Sequence, residues 1–122
     1  MVIGRFIVPI LIVTGAITAL PTLQFFFPRP ALKLLSGVTV EGDAALLFAR
    51  HWGLVTATIG GLLIYASQSP GARCAIVLAV LVEKIGYAAL VLARWNRLPS
   101  MRASGLFDAA CSAIYLGYMV GL

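Results

Sequence analysis

The chain has 122 residues, of which 61% are hydrophobic and only 11% are charged. Because a soluble domain carries about 25% charged residues, this composition predicts an integral membrane protein and excludes a soluble head. The formal net charge is +5, but the basic residues lie at the ends of apolar segments, where they anchor at lipid headgroups. We therefore expect membrane lipid as a partner and no nucleic acid.

Four apolar segments follow one another, near residues 2–27, 44–66, 74–95 and 104–122. Each is long enough for a helix to cross a hydrocarbon core of about 30 Å. The short links between the last three segments force neighbouring helices to run antiparallel. The sequence therefore predicts an all-α polytopic membrane protein: an antiparallel four-transmembrane-helix bundle forming a single transmembrane domain over 1–122. We expect the observed helix ends to lie within about three residues of these boundaries.

The first segment has an apolar run longer than the roughly 7–15 residues of a signal-peptide core, and no small-residue cleavage site follows it. We interpret it as a membrane helix in which Pro9 causes a tolerated kink. The connection 28–43 is the one long link, and Ala31–Leu35 predicts a short interfacial helix that stops at Gly37. Asp43 is a candidate N-cap for the second helix.

Small residues predict where helices pack closely in lipid. Gly53, Ala57 and Gly61 recur every four residues on the second helix, and Gly117 and Gly121 form a G-x-x-x-G on the fourth. The row on the second helix predicts a seam within the chain, with a contact between copies as the alternative. A homo-oligomer or a larger membrane complex is therefore expected.

Two cysteines, Cys74 and Cys111, lie at different depths along their predicted helices. Since a disulfide needs Cα atoms within about 7 Å, both thiols are predicted to be free.

The distribution of lysine and arginine predicts the orientation. Six basic residues lie on the side of the first and third connections, against two on the side of the second connection and the chain ends. By the positive-inside rule the first and third connections are cytoplasmic. In a bacterial inner membrane both termini would then be periplasmic.

Four titratable side chains, His51, Glu83, Lys84 and Asp108, fall inside the apolar segments, where a charge is costly. They come from three helices but lie in the same half of the predicted membrane. We predict that at least three of them point into the interior and are linked, either directly or through one intervening side chain. Lys84 and Asp108 form the expected ion pair. Glu83 is the expected exception, because adjacent helical residues point about 100° apart.

Polar and aromatic side chains extend these positions into helical stripes. The additional members are Gln24 and Trp52, then Thr58 and Tyr65 after His51, Tyr87 after Glu83, and Ser112 and Tyr115 after Asp108. Together they are predicted to line a mostly apolar pocket with a polar end, as pockets for apolar ligands do.

Each titratable group also has a structural explanation. The dipole of the fourth helix favours a carboxylate at Asp108, Lys84 can serve as its structural counter-ion, and His51 beside Trp52 suits a membrane interface. These explanations account poorly for all four groups in so short a chain. One His and two scattered Cys argue against a zinc site or bis-histidine haem, and no metal or cofactor is expected.

The run Arg50–Gly53, the pair Gly60–Gly61, and then Lys84 and Asp108 resemble a group of short bacterial four-helix membrane proteins, uncharacterised or DoxX-like. The similarity covers the second to fourth helices. It implies an inner-membrane four-helix bundle and transfers no activity or catalytic residue.

The leading hypothesis is a protein that binds, and by proton-shuttling isomerisation transforms, a lipophilic small molecule such as a quinone, isoprenoid or sterol-like lipid. His51 would move the proton, because histidine changes charge closest to neutral pH. Glu83 and Asp108 would act as acid, base or orienting carboxylates, with Lys84 setting their charge. The alternatives are a homodimeric ion- or proton-coupled transporter and a structural subunit of a larger membrane complex.

Overall fold

The computed structural model describes residues 2–122, and this part of the chain is mostly helical, without strands. The helices in chain order are α1 (Val2–Arg5), α2 (Ile7–Thr18), a 3₁₀ turn (Leu20–Thr22), α3 (Leu23–Phe26), α4 (Pro28–Ser36), α5 (Asp43–Gln68), α6 (Pro70–Ala93), a second 3₁₀ turn (Pro99–Met101) and α7 (Arg102–Met119).

Three helical stretches among the described residues are long and apolar enough to cross a membrane: Ile7–Phe26, Asp43–Gln68 and Pro70–Ala93. This agrees with the membrane class predicted from composition. The fourth predicted span corresponds to α7, whose 18 residues do not reach the same apolarity because they include Arg102 and Asp108.

The first segment is not the continuous helix over 2–27 that we predicted. It breaks after Arg5 and again after Thr18. Proline explains both breaks, because Pro9 has no N–H to donate to the Arg5 carbonyl and Pro21 has none for Ile17. The prolines that cause these breaks are therefore visible in the sequence, but they interrupt the helix rather than kink it.

The later helix ends differ from the prediction by up to four residues. α6 begins at Pro70 instead of Cys74, since proline is well suited to the first turn of a helix. Only Ser69 separates α5 from α6, so the predicted polar turn is almost entirely helical. Gly42 occupies the N-cap position of α5, and Asp43 is its first helical residue rather than the cap.

A short helix forms in the long connection, as predicted, although α4 is longer than expected. It ends at Gly37, whose φ of 67° is left-handed and whose N–H donates to the Lys33 carbonyl at 3.0 Å. Glycine takes this conformation without the steric cost of a Cβ. The buried side of α4, Pro28 and Ala31, packs toward α3 and α5.

Glycines set the contact between α2, α3 and α5. A Cβ added to Gly60 would lie 2.5 Å from the Gly15 carbonyl oxygen, and one added to Gly53 would lie 2.7 Å from the Pro21 carbonyl oxygen. The seam is intramolecular, but it uses Gly60 where we predicted Gly61. Gly61 is exposed, with open space around it.

The other predicted glycine row does not form a helix seam. Gly117 packs against Ile3, whereas Gly121 lies beyond the end of α7 with a φ of 90°. This glycine allows the chain to turn back, so that the Ile3 N–H donates to the Leu122 carbonyl at 3.1 Å.

The cysteine prediction is confirmed: both thiols are free. Cys74 is exposed, and its Sγ lies 3.9 Å from Met119 Sδ at the far end of α7. Cys111 is buried two turns earlier in that helix, which accounts for the absence of a bond between the two.

The apolar core lies between α2, α5, α6 and α7, and the completely buried Tyr115 joins two of these helices. Its hydroxyl donates to Thr14 Oγ1 at 2.6 Å, and the Thr14 hydroxyl donates to the Ile10 carbonyl at 2.6 Å. This chain of hydrogen bonds ties α7 to α2.

Replacing Tyr115 with phenylalanine is expected to lower the free energy of unfolding by about 1 kcal/mol, the net contribution of one hydrogen bond. The measurement is unfolding of the purified protein in mild detergent. Tyr65→Phe is the matched control, because Tyr65 is 57% exposed and should show no change. Equal effects of the two variants would contradict the structural role of Tyr115.

Candidate functional site

A cavity of about 280 Å³ lies among α2, α3, α5, α6 and α7, with the end of α4 at its edge. We call it the inner cavity. Apolar side chains supply much of its wall, including Ile17, Leu20, Leu35 and Phe107. Its polar and charged wall residues are Thr18, Gln24, Ser36, Thr56, Glu83, Lys84, Tyr87, Ser104 and Asp108. Leu35 and Ser36 at the end of α4 and Ala103 and Ser104 at the start of α7 place it at the end of the bundle that carries the first and third connections.

Lys84 and Asp108 form a buried ion pair on the cavity wall, as predicted. The distance from Lys84 Nζ to Asp108 Oδ1 is 3.0 Å, and the Lys84 side chain is 1% exposed. The same ammonium donates to Thr18 Oγ1 at 3.0 Å and lies 5.0 Å from the centre of the Phe107 ring. Its charge is thus matched by one carboxylate, one hydroxyl and one aromatic face.

Glu83 remains outside this ion pair, as its position next to Lys84 predicts. Its Oε2 is buried and has no hydrogen-bond partner, the one such side-chain atom within residues 2–122. Glu83 also borders a second, more open space of about 510 Å³, lined by Leu32, Val82, Gly86 and Leu90 among others. We call this space the outer groove. The carboxylate of Glu83 therefore lies between the inner cavity and the outer groove.

Two aromatic side chains accompany Glu83 on the wall shared by the inner cavity and the outer groove. The rings of Trp52 and Tyr87 are stacked, with centroids 5.9 Å apart and planes at 26°. The Ser104 hydroxyl donates to the Met101 carbonyl at 2.9 Å, so the Tyr87 hydroxyl, 2.9 Å from Ser104 Oγ, must be the donor in their bond. This bond fixes the Tyr87 ring.

Gln24 anchors the opposite wall. It is 1% exposed, and its Nε2 donates to the Ala49 carbonyl at 3.1 Å, joining α3 to α5. This bond is possible because Gly53 lets the two backbones come close together.

The structure contradicts the stripe predicted on the second helix, because His51, Thr58 and Tyr65 are all exposed. Each is two residues from a buried position of α5, and two residues rotate the side chain by about 200°. Close packing at Gly53 and Gly60 turns that face inward and the predicted stripe outward. Of the four titratable groups, Lys84 and Asp108 are joined directly, Glu83 lines the same cavity without a hydrogen-bond partner for Oε2, and His51 lies outside it.

On α7 the predicted stripe is buried, but only its first member reaches the inner cavity. Ser112 donates to the Asp108 carbonyl at 2.7 Å within the helix, and Tyr115 bonds to Thr14 in the core. Neither lines the inner cavity or the outer groove.

Several wall residues were not identified from the sequence, among them Thr18, Thr56, Ser104 and Phe107. Helical spacing would have pointed to one of them, because Ser104 precedes Asp108 by four residues and therefore lies on the polar face that Asp108 already marks.

Within residues 2–122 no three His, Cys, Asp or Glu side chains form a group that could hold a metal ion. Comparison of the chain with protein-family models, curated proteins and solved structures finds no match. The similarity to DoxX-like proteins therefore stays a prediction, and functional inference rests on the geometry of the site.

Proposed function

We propose that this chain is a small four-helix protein of the bacterial inner membrane that binds a lipophilic small molecule. The observation that carries the proposal is the inner cavity, whose largely apolar wall contains a buried ion pair and an unpartnered carboxylate oxygen. Ligand sites combine apolar walls with a few polar groups in this way.

The size of the site supports an elongated ligand. The inner cavity, about 280 Å³, is slightly smaller than the usual range of about 300–1,000 Å³ for ligand pockets. It would hold the polar end of an amphiphile, and the apolar part would lie along Val82, Gly86 and Leu90 in the outer groove.

The ion pair supports α7 as a fourth membrane-spanning helix. Its 18 residues extend about 27 Å at helical rise, close to the thickness of the hydrocarbon core. Pairing with Lys84 offsets the cost of placing Asp108 in the membrane. Four membrane crossings would place the N-terminal and C-terminal ends of the chain on the same side of the membrane, in agreement with the hydrogen bond between Ile3 and Leu122. The lysine and arginine count favours the periplasmic side.

Binding is better supported than the isomerisation predicted from the sequence. His51, the expected proton carrier, is exposed on the outer face of α5. Of the proposed acid–base groups, Glu83 has an oxygen without a hydrogen-bond partner at the cavity. One such group is enough for binding a ligand, whereas the predicted isomerisation also required His51.

Mass spectrometry of small molecules that co-purify with the protein tests the proposal. We expect a lipophilic compound in the wild-type protein and about tenfold less of it in Gly86→Leu, the loss produced by about 1.4 kcal/mol of steric conflict. Gly86 lines the outer groove and has open space where a side chain would extend.

Gly61→Leu is the matched control, because Gly61 is also helical, exposed and surrounded by open space, but lies away from the site. It should retain the compound. Equal occupancy in the two variants would refute binding in the outer groove. If no compound co-purifies, and replacing the polar residues of the inner cavity leaves the phenotype of the cell unchanged, the structural-subunit alternative is favoured.

A further inference from the structure

The structure points to the chemical class of the ligand, and this inference rests on the function proposed above. We propose that the polar end of the ligand is an organic cation, namely a protonated or quaternary ammonium group attached to an apolar body. Three features carry it: the charge of the cavity, the free oxygen of Glu83 and the aromatic pair beside it.

The charged side chains that line the inner cavity are two carboxylates, Glu83 and Asp108, and one ammonium, Lys84. The Lys84 ammonium already donates to Asp108 and Thr18 and lies over the Phe107 ring. No arginine and no second lysine lines the inner cavity or the outer groove. A carboxylate, phosphate or sulfate ligand would therefore meet no free cation here and would face an unpaired carboxylate.

The position of Glu83 is suited to a positive charge. Its Oε2 is buried without a partner between the inner cavity and the outer groove. Leaving a buried carboxylate oxygen unpaired is costly, and a cation in the cavity would remove that cost. A ligand ammonium at this point would supply the direct partner that Glu83 Oε2 lacks, because Lys84 is paired with Asp108.

The aromatic pair adds a second attraction for the same charge. Trp52 and Tyr87 border both spaces together with Glu83, and their rings are held by stacking and by the Tyr87–Ser104 hydrogen bond. Aromatic faces attract ammonium groups, and tryptophan is the strongest of them. Glu83, Trp52 and Tyr87 therefore share the wall at which a ligand cation would lie.

The test compares benzyltrimethylammonium with neopentylbenzene, which has the same shape but carbon in place of the charged nitrogen. Binding to the full chain in non-ionic detergent is measured by calorimetry. We expect the cation to bind at least about tenfold more tightly than the neutral compound. Glu83→Gln should abolish that preference, and Trp52→Leu should weaken binding of the cation several-fold.

Glu41→Gln is the matched control, since the side chain of Glu41 is 81% exposed and pairs with Arg29 away from the site. It should bind the cation as the wild type does. An unchanged preference in both Glu83→Gln and Trp52→Leu would overturn the proposal, and so would equal binding of the two compounds by the wild type.

The outcomes also separate this inference from the proposed function. If a neutral or anionic lipid co-purifies and is lost in Gly86→Leu, the protein binds a lipophilic ligand but the cation assignment is wrong. If nothing co-purifies and neither probe binds, both proposals fail.

Discussion

Replacing Lys84 with methionine is expected to lower the free energy of unfolding by about 3–5 kcal/mol, the cost of leaving one member of a buried ion pair alone. The variant keeps most of the side-chain volume but leaves Asp108 without its counter-ion in an interior where Lys84 is 1% exposed. Unfolding of the purified protein in detergent micelles, followed by circular dichroism, measures the change.

The double variant Lys84→Met, Asp108→Leu distinguishes loss of pairing from loss of packing. Because it removes both charges, it should recover most of the lost stability. Glu41→Gln serves as the control, since it removes one charge from an exposed pair with Arg29, and such pairs contribute about 0–1 kcal/mol. If the double variant is as unstable as the sum of the single ones, the ion pair is not what Lys84 contributes.

Replacing Gly60 with alanine is expected to lower the free energy of unfolding by about 1–3 kcal/mol, the usual cost of overpacking. The new Cβ would lie 2.5 Å from the Gly15 carbonyl oxygen and 2.8 Å from Ala19 Cβ. Backbone must therefore move, and α2 would separate from α5.

The neighbouring substitution Gly61→Ala is the matched control. Gly61 has nothing within 4 Å of an added Cβ, and alanine is a better helix former than glycine. It should leave stability unchanged or raise it by up to about 1 kcal/mol. Equal effects of Gly60→Ala and Gly61→Ala would contradict the close packing at Gly60, and a larger loss of stability in Gly61→Ala would support the rotation of α5 predicted from the sequence.

Much of the fold follows from local properties of the sequence. Apolar transfer energies add along the chain, so composition alone predicted a helical membrane protein. The glycine stop at Gly37 and the free cysteines followed from backbone preference and position. The break after Arg5 also has a local cause, the missing N–H of Pro9.

The ion pair was predictable for a related reason. A charge within an apolar segment needs a partner, and Lys84 and Asp108 were the opposite charges at matching depths on antiparallel neighbours. The energetic requirement was strong enough to select the pair without knowledge of the packing. Glu83 could be excluded from it by helical geometry alone.

What the sequence could not determine was the rotation of α5 about its own axis. His51, Thr58 and Tyr65 form as regular a stripe as the buried face does, so the spacing of polar residues does not distinguish the two faces. Only contact with α2 and α3 at Gly60 and Gly53 decides which face turns inward. That contact depends on the shapes of two surfaces, which no single-helix pattern contains.

The sequence by itself therefore determined the all-helical class with helices apolar and long enough to cross a membrane, the unpaired thiols and the ion pair between Lys84 and Asp108. The tertiary structure decided that His51 lies outside and that Glu83 borders a cavity without a partner. The physical reason is that burial and pairing costs belong to residues or pairs. A cavity, in contrast, is the space that several packed helices leave between them.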